Sequence, residues 1–168
     1  MNVEAVRHQL HIANKILGVN LDGISHEESM QLQPSGASCV NWIVGHVVRA
    51  RTEAVECLGH ESPVSRATLD AYRPAQPWNP DGALSLDTLI AHLDSLRDAL
   101  DAGLAGLTPE GAATKAPFSP TNNPDETLGS LMAVFLFHES YHVGQVGVLR
   151  RLLGKAGVLA APASSLDD

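Results

Sequence analysis

The chain has 168 residues, of which 44 % are apolar, and a formal net charge of −8 at pH 7. This length and apolar content suffice for one domain with a buried core, which we place at residues 1–158. Residues 159–168 are small and acidic, and we predict that they form a disordered tail. The 11 Lys and Arg residues are scattered, which argues against a nucleic-acid partner.

The cysteine content and the absence of long apolar runs indicate a cytoplasmic protein. No apolar run approaches the ~20 residues of a membrane span, and no signal-peptide pattern is present, so we expect no membrane partner. Cys39 and Cys57 fall on one predicted helix, about 27 Å apart at about 1.5 Å per residue. A disulfide between them is therefore excluded, in agreement with a reducing compartment.

The N-terminal segment has the apolar spacing of an amphipathic helix over residues 2–18, with Gly18 near its end. His8 and His11 lie on this helix three residues apart and are possible metal ligands. His8 shares its face with charged residues more than with leucines, so we expect both histidines on the solvated surface. The apolar positions that define the helix are Val3, Val6, Leu10, Ala13 and Leu17.

A second helix is predicted over residues 39–58, after a loop in which Ser38 supplies the N-cap. His46 lies among apolar neighbours on one face of this helix. For a lone histidine, a buried residue satisfied by one hydrogen bond is the simplest explanation, whereas a histidine pair elsewhere favours a metal ligand. Glu53, on the same face, either orients a ligand or meets solvent. The other members of this face are Trp42, Ile43 and Ala50.

Residues 60–84 are rich in proline and predict a long irregular crossover with one helical turn near 65–72. Tyr72 and Trp78 are able to pack over a pocket, although anchoring of the crossover explains them more simply. Ser85 then caps a third helix whose leucines form a core stripe. A further loop follows over residues 108–123. The stripe consists of Leu89, Leu93, Leu96, Leu100, Leu104 and Leu107.

The fourth predicted helix spans residues 123–154, with Asn123 as its N-cap and Pro124 at its first position. Gly144 and Gly147 fall on the side opposite the apolar stripe. Each glycine weakens a helix by about 1 kcal/mol relative to alanine, so we expect another backbone to come close there. The apolar stripe, on which the two histidines of this helix also lie, should face the core.

His138 and His142 lie four residues apart on this helix, so both imidazoles project from one face, where two nitrogens can bind one metal ion. The run from His138 to His142 also matches the HExxH motif of metalloproteases. The metzincin extension requires Gly at 145 and His at 148, where the chain has Gln145 and Val148, and no glutamate follows Glu139. The third ligand must therefore come from upstream, and His46 is the natural candidate.

Four long amphipathic helices without a convincing strand predict an all-α four-helix bundle, with sites built from side chains on facing helices. The run Asn41 to His46 is followed much later by the run His138 to Gln145. Together these two runs resemble the signature of the DinB/YfiT-like superfamily of bacterial metal-binding proteins. It covers nearly the whole chain, including the order of the helices and the long crossover.

The resemblance implies up-down-down-up connectivity, frequent dimerisation and a divalent metal held by three histidines. Transferred to this sequence, those ligands are His46, His138 and His142. Relatives include thiol transferases, thiol-dependent isomerases and proposed metal-dependent hydrolases. A possible homodimer and a small-molecule substrate are therefore expected.

Three imidazoles leave a metal with open positions, which is typical of a catalytic site, and zinc or nickel would suit them. The first hypothesis is a transferase that adds a low-molecular-weight thiol to an electrophile. The second is a hydrolase of amides or esters, with Glu139 as general base unless it accepts a histidine N–H or is a helix-packing carboxylate. Tyr141 is a candidate catalytic residue and Gln145 a candidate for cofactor binding, since both share the histidine face. The third hypothesis is a non-enzymatic, metal-stabilised, stress-related dimer.

Overall fold

The computed structural model describes residues 2–32, 38–75 and 77–157, where helices joined by irregular segments make up the fold. Within these ranges no strand forms, and the predicted all-α class is confirmed. The predicted tail at 159–168 lies outside the described residues. Arg66–Tyr72 and Pro80–Gly82 are 3₁₀ segments of the crossover. The helices are α1 (Val3–Leu21), α2 (His26–Ser29), α3 (Val40–Cys57), α4 (Leu86–Ala105), α5 (Pro109–Ala112) and α6 (Leu128–Leu152).

The four long helices pack around one apolar core. Both α1 and α3 contact α4 and α6, so each helix of one pair lies between the two helices of the other. The leucine stripe predicted for α4 is buried from Leu89 to Leu104, whereas Leu107 lies beyond the end of the helix and is partly exposed. Side chains on facing helices therefore meet in the interior of the bundle.

Contacts at both ends of α3 and α4 show how these two helices run. Near the start of α3, the Asn41 side-chain amide donates to the carbonyl of Leu84, two residues before α4, at 3.0 Å. At the other end, a Cβ placed on Gly103 of α4 would lie 3.0 Å from Leu58 Cδ1, just after α3. The two helices therefore run in the same direction, and the crossover returns the chain to the end where α3 began.

A buried ion pair joins the four long helices at mid-height. Arg51 of α3 donates to both carboxylate oxygens of Glu139 of α6, at 3.0 and 2.6 Å. The same guanidinium donates to the carbonyl of Leu93 in α4 and to the side-chain oxygen of Asn14 in α1. The side chains of Arg51 and Glu139 are only 2 % and 5 % exposed. This network fixes the height of α6, and hence of its histidines, relative to α3.

Two helix boundaries differ from their predictions near the N-terminus. Helix α1 continues past Gly18 to Leu21, because Leu21 is buried in the core and extends the apolar face by one more turn. Helix α3 is capped by the Cys39 thiol, whose sulfur accepts from the backbone N–H of Trp42 at 3.5 Å, so the prediction that Ser38 is the cap is wrong. Both cysteines are free, as expected.

Helix α6 begins at Leu128 with Thr127 as its N-cap, so the prediction of Asn123 as the cap is wrong. The reason is a competing backbone pairing. The N–H of Ala116 donates to the Glu126 carbonyl at 2.9 Å, and the N–H of Leu128 donates to the Thr114 carbonyl at 2.8 Å. These bonds hold the residues before α6 extended, where a helical turn would leave the 114–116 segment unpaired.

Gly144 and Gly147 of α6 do not meet a neighbouring backbone, contrary to the prediction. A Cβ added at Gly144 would have nothing within 4 Å among the described residues. At Gly147 it would meet the Asn20 side chain of α1 at 3.3 Å. The Asn20 amide donates to the Val143 carbonyl of α6 at 3.3 Å, so Gly147 makes room for a polar side chain.

Over the described ranges, none of the helices combines the length and the apolar content needed to cross a bilayer.

Candidate metal centre

Helices α3 and α6 bring His46, His138 and His142 together in the bundle. The Nε2 atom of His138 lies 3.0 Å from Nε2 of His46 and 3.1 Å from Nε2 of His142. Among the described residues these three form the one group of histidine, cysteine or acidic side chains arranged to hold a metal ion, with ligand atoms within 4.8 Å of one another. His8 and His11 are exposed on α1, as expected.

Hydrogen bonds on the far side of two rings set which nitrogen faces the cluster. The Nδ1 atom of His46 lies 3.1 Å from the Tyr72 carbonyl, and Nδ1 of His142 lies 2.7 Å from the Oε1 atom of Gln145. Oxygen acceptors at these positions require a proton on each Nδ1. The neutral rings then present bare Nε2 lone pairs to one another.

Three converging nitrogens fit a bound cation better than they fit one another. The Nε2 atom of His138 can donate its single proton to only one of its two neighbours, which leaves the other contact without a hydrogen bond. Two imidazoles on one ion, at about 2.0–2.1 Å each, lie about 2.8–3.4 Å apart for angles between octahedral and tetrahedral. The observed separations of 3.0 and 3.1 Å fall in that range. The donor set therefore suits one divalent transition metal.

Burial keeps the three imidazoles neutral and able to bind a metal. Desolvation lowers the pKa of His46 and that of His142. The pKa of His138 falls furthest, to about 4, because burial is reinforced by its two histidine neighbours. A cationic imidazole cannot ligate a metal, so a lowered pKa keeps the lone pairs available well below neutral pH.

Tyr72 of the crossover positions His46, a role that the sequence alone did not establish. The Tyr72 ring is fully buried, its hydroxyl donates to Asn41 at 3.1 Å, and that hydroxyl accepts from the N–H of Leu84 at 2.8 Å. These bonds anchor the crossover and hold the Tyr72 carbonyl against His46. The ring lies over Gly45, where an added Cβ would come within 2.1 Å of it. The sequence signal for this close approach was Gly45, which immediately precedes His46.

Aromatic contacts restrain the rings further. Trp42 stacks on His46 with centroids 4.9 Å apart and an interplanar angle of 13°. Tyr141 meets His142 edge to face at 5.3 Å and accepts a hydrogen bond from the Gln145 amide at 3.2 Å. The prediction that the whole histidine face lies in the core is wrong for Tyr141, which is 57 % exposed. Tyr141 and Gln145 therefore both support His142.

The two glutamates considered from sequence lie apart from the imidazole nitrogens. Glu139 is the helix-packing carboxylate, with both oxygens engaged by Arg51 in the bundle interior. Glu53 of α3 pairs with Arg66 of the crossover at 3.2 Å. Neither carboxylate belongs to the cluster that can hold a metal.

A cleft of about 370 Å³ opens beside His46 and His138. Its walls include residues from both irregular segments, Pro74 of the crossover and Phe118 of the loop before α6. We call this space the cleft. It is of the size that small-molecule sites have, and it leaves the histidines accessible to a small molecule. The remaining lining residues are Arg49, Ala50, Glu53, Pro120, Val134 and Phe135.

Comparisons with known proteins agree with the fold. The crystal structure of a conserved protein from Enterococcus faecalis superimposes with a TM-score of 0.72, at 18 % sequence identity, over 92 % of this chain and 99 % of that one. A search of curated proteins finds no significant match. The family model of the DinB superfamily matches residues 13–146. The chain therefore belongs to the DinB superfamily, as its sequence motifs predicted.

Proposed function

We propose that this protein is a metal-dependent transferase that joins a low-molecular-weight thiol to an electrophilic small molecule. The observation that carries the proposal is the engagement of Glu139 by Arg51. Hydrolysis of an amide would also need a group that gives a proton to the leaving amine, and Glu139 is the carboxylate that the sequence offered for proton transfer. Thiol transfer needs no such carboxylate, since a thiol loses its proton on binding a divalent metal.

His46, His138 and His142 would hold the ion, which supplies a Lewis acid with open coordination positions. The protein's own contribution is to keep three neutral nitrogens fixed and to offer the cleft to the second reactant. Tyr72 and Gln145 orient the rings of His46 and His142 from behind. In the transfer, the thiol sulfur bonds to the electrophilic carbon, the thiol proton passes to solvent and the leaving group departs.

The exposed side of the site suggests roles for two further residues. Tyr141 accepts from the Gln145 amide, so its own hydroxyl proton remains available to a bound thiol or substrate. We infer that Gln145 does not contact the thiol itself and influences it through Tyr141, because the Oε1 atom of Gln145 is engaged by His142. Gln145 would therefore act through His142 and Tyr141, whereas Tyr141 would contact the thiol or substrate itself.

A purely structural metal fits the site less well. Structural zinc sites usually have four protein ligands, whereas the described residues supply three histidines beside an open cleft. His8 and His11, the candidates for a fourth ligand, are exposed on α1. An open position next to a cleft is typical of catalysis.

The proposal is tested with zinc-loaded and nickel-loaded protein, N-acetylcysteine as the thiol and 1-chloro-2,4-dinitrobenzene as the electrophile. We expect thioether formation, followed by absorbance, to exceed the rate with free metal by at least about tenfold, and the His138→Ala variant to show no such acceleration. Hydrolysis of 4-nitrophenyl acetate should not exceed the free-metal rate. Metal-dependent ester hydrolysis without thioether formation would reverse the assignment in favour of a hydrolase.

A further inference from the structure

One wall of the cleft carries a cation, Arg49, that has no partner among the described residues. Arg49 follows His46 by three residues on α3, so both side chains leave the same face of the helix. Its Nη1 atom is buried, and in the described ranges it has no hydrogen-bond acceptor. A buried guanidinium nitrogen without an acceptor is rare in folded proteins and calls for an explanation.

The acidic side chain nearest along the helix does not supply the acceptor. Glu53, one turn further on α3, also lines the cleft but is turned to Arg66 of the crossover, which also binds Glu56. Arg66 thus engages both glutamates, and Arg49 has no hydrogen-bonded acidic partner among the described residues. Arg49 therefore lines the cleft as a cation beside nitrogens that would hold a divalent metal.

The opposite walls of the cleft are apolar. Phe118 and Phe135 meet edge to face with centroids 6.3 Å apart, and Val134 and two prolines complete the surface. Phe118 is 38 % exposed, which leaves part of its ring to contact a ligand. A mostly apolar cleft in which the one arginine has no acidic partner among the described residues favours molecules that carry an apolar body and a negatively charged group.

We propose that Arg49 is a specificity-determining residue that binds the carboxylate of a small molecule whose apolar body packs on Phe118 and Phe135. The planar guanidinium matches a carboxylate with two parallel hydrogen bonds, which would give Arg49 the acceptor that it lacks among the described residues. This inference rests on the proposed function only in taking the cleft as the substrate site. It narrows the substrate class to carboxylates with an apolar body.

The test compares the binding of 3-phenylpropionate with that of 3-phenylpropanamide, which has the same shape without the charge, by titration calorimetry. The metal content of each sample is measured first, and each titration is run with metal-loaded and metal-stripped protein. We expect wild-type protein to prefer the carboxylate in both states. Arg49→Gln should weaken carboxylate binding about tenfold and leave amide binding unchanged, whereas Arg49→Lys should retain part of the preference.

Arg73→Gln is the matched control, since Arg73 belongs to the crossover but pairs with Asp70 on the surface. It should bind both ligands as the wild type does. An unchanged carboxylate preference in Arg49→Gln, or no preference in wild-type protein, would overturn the inference. Protein that binds no metal but prefers the carboxylate through Arg49 would contradict the proposed function and support this inference. Protein that binds metal but shows no preference for the carboxylate would support the proposed metal site and contradict this inference.

Discussion

Replacing Arg51 by methionine should lower the free energy of unfolding by about 3–5 kcal/mol, because the substitution leaves the Glu139 carboxylate buried without a cation. The Leu93 carbonyl and the Asn14 side chain lose their donor at the same time. Chemical denaturation of metal-free protein measures the change, so that metal binding does not contribute to the result.

Two controls separate a buried ion pair from a loss of packing. The double variant Arg51→Met with Glu139→Leu should recover much of the stability, since it removes both charges together. Arg97→Met, which breaks an exposed pair with Asp94, should cost less than about 1 kcal/mol. If Arg51→Met costs no more than Arg97→Met, the network does not hold the bundle together.

Replacing Gly45 by alanine should weaken metal binding about 10- to 100-fold, the range found when an outer partner of a ligand is lost. The new Cβ would lie within 2.1 Å of the Tyr72 ring, so the ring must move and carry with it the carbonyl that orients His46. Overpacking of this kind also destabilises by about 1–3 kcal/mol. Competition with a chromophoric chelator measures the metal affinity, and thermal unfolding measures the stability.

Gly144→Ala is the matched control on the other metal-bearing helix. It adds the same methyl group where nothing lies within 4 Å among the described residues. It should raise stability by up to about 1 kcal/mol through helix propensity and leave metal affinity unchanged. Equal effects of the two substitutions on metal affinity would show that Tyr72 does not position His46.

The all-α class and the order of the helices were predictable because they depend on the local spacing of apolar residues. The leucine stripe of α4 and the apolar spacing of α1 identify the buried faces directly. The proximity of His46 and His138 was also predictable from local patterns, since each histidine lies on an apolar helix face and such a face points towards another helix. The boundaries were less predictable where tertiary pairing competed, as at Thr127, where backbone bonds to residues 114 and 116 displaced the expected cap.

The surroundings of the histidines were not predictable from sequence. The role of Tyr72 depends on where the crossover returns to α3, which is a contact across 26 residues. Glu139 lies next to His138 in sequence, yet its 100° rotation around α6 takes it to Arg51 and away from the cleft. The isolation of Arg49 likewise follows from Glu53 turning to Arg66, which no helical spacing indicates.

The most direct test of the metal centre is elemental analysis of tag-free protein purified without added metal, beside His46→Ala and His142→Ala variants. We expect about one zinc or nickel ion per wild-type chain and loss of the ion in both variants, because each removes one of three ligands. The His46→Ala result is decisive, since His46 alone comes from α3. Unchanged metal content in His46→Ala would contradict a site shared by the two helices, as would wild-type protein that takes up no metal when it is offered.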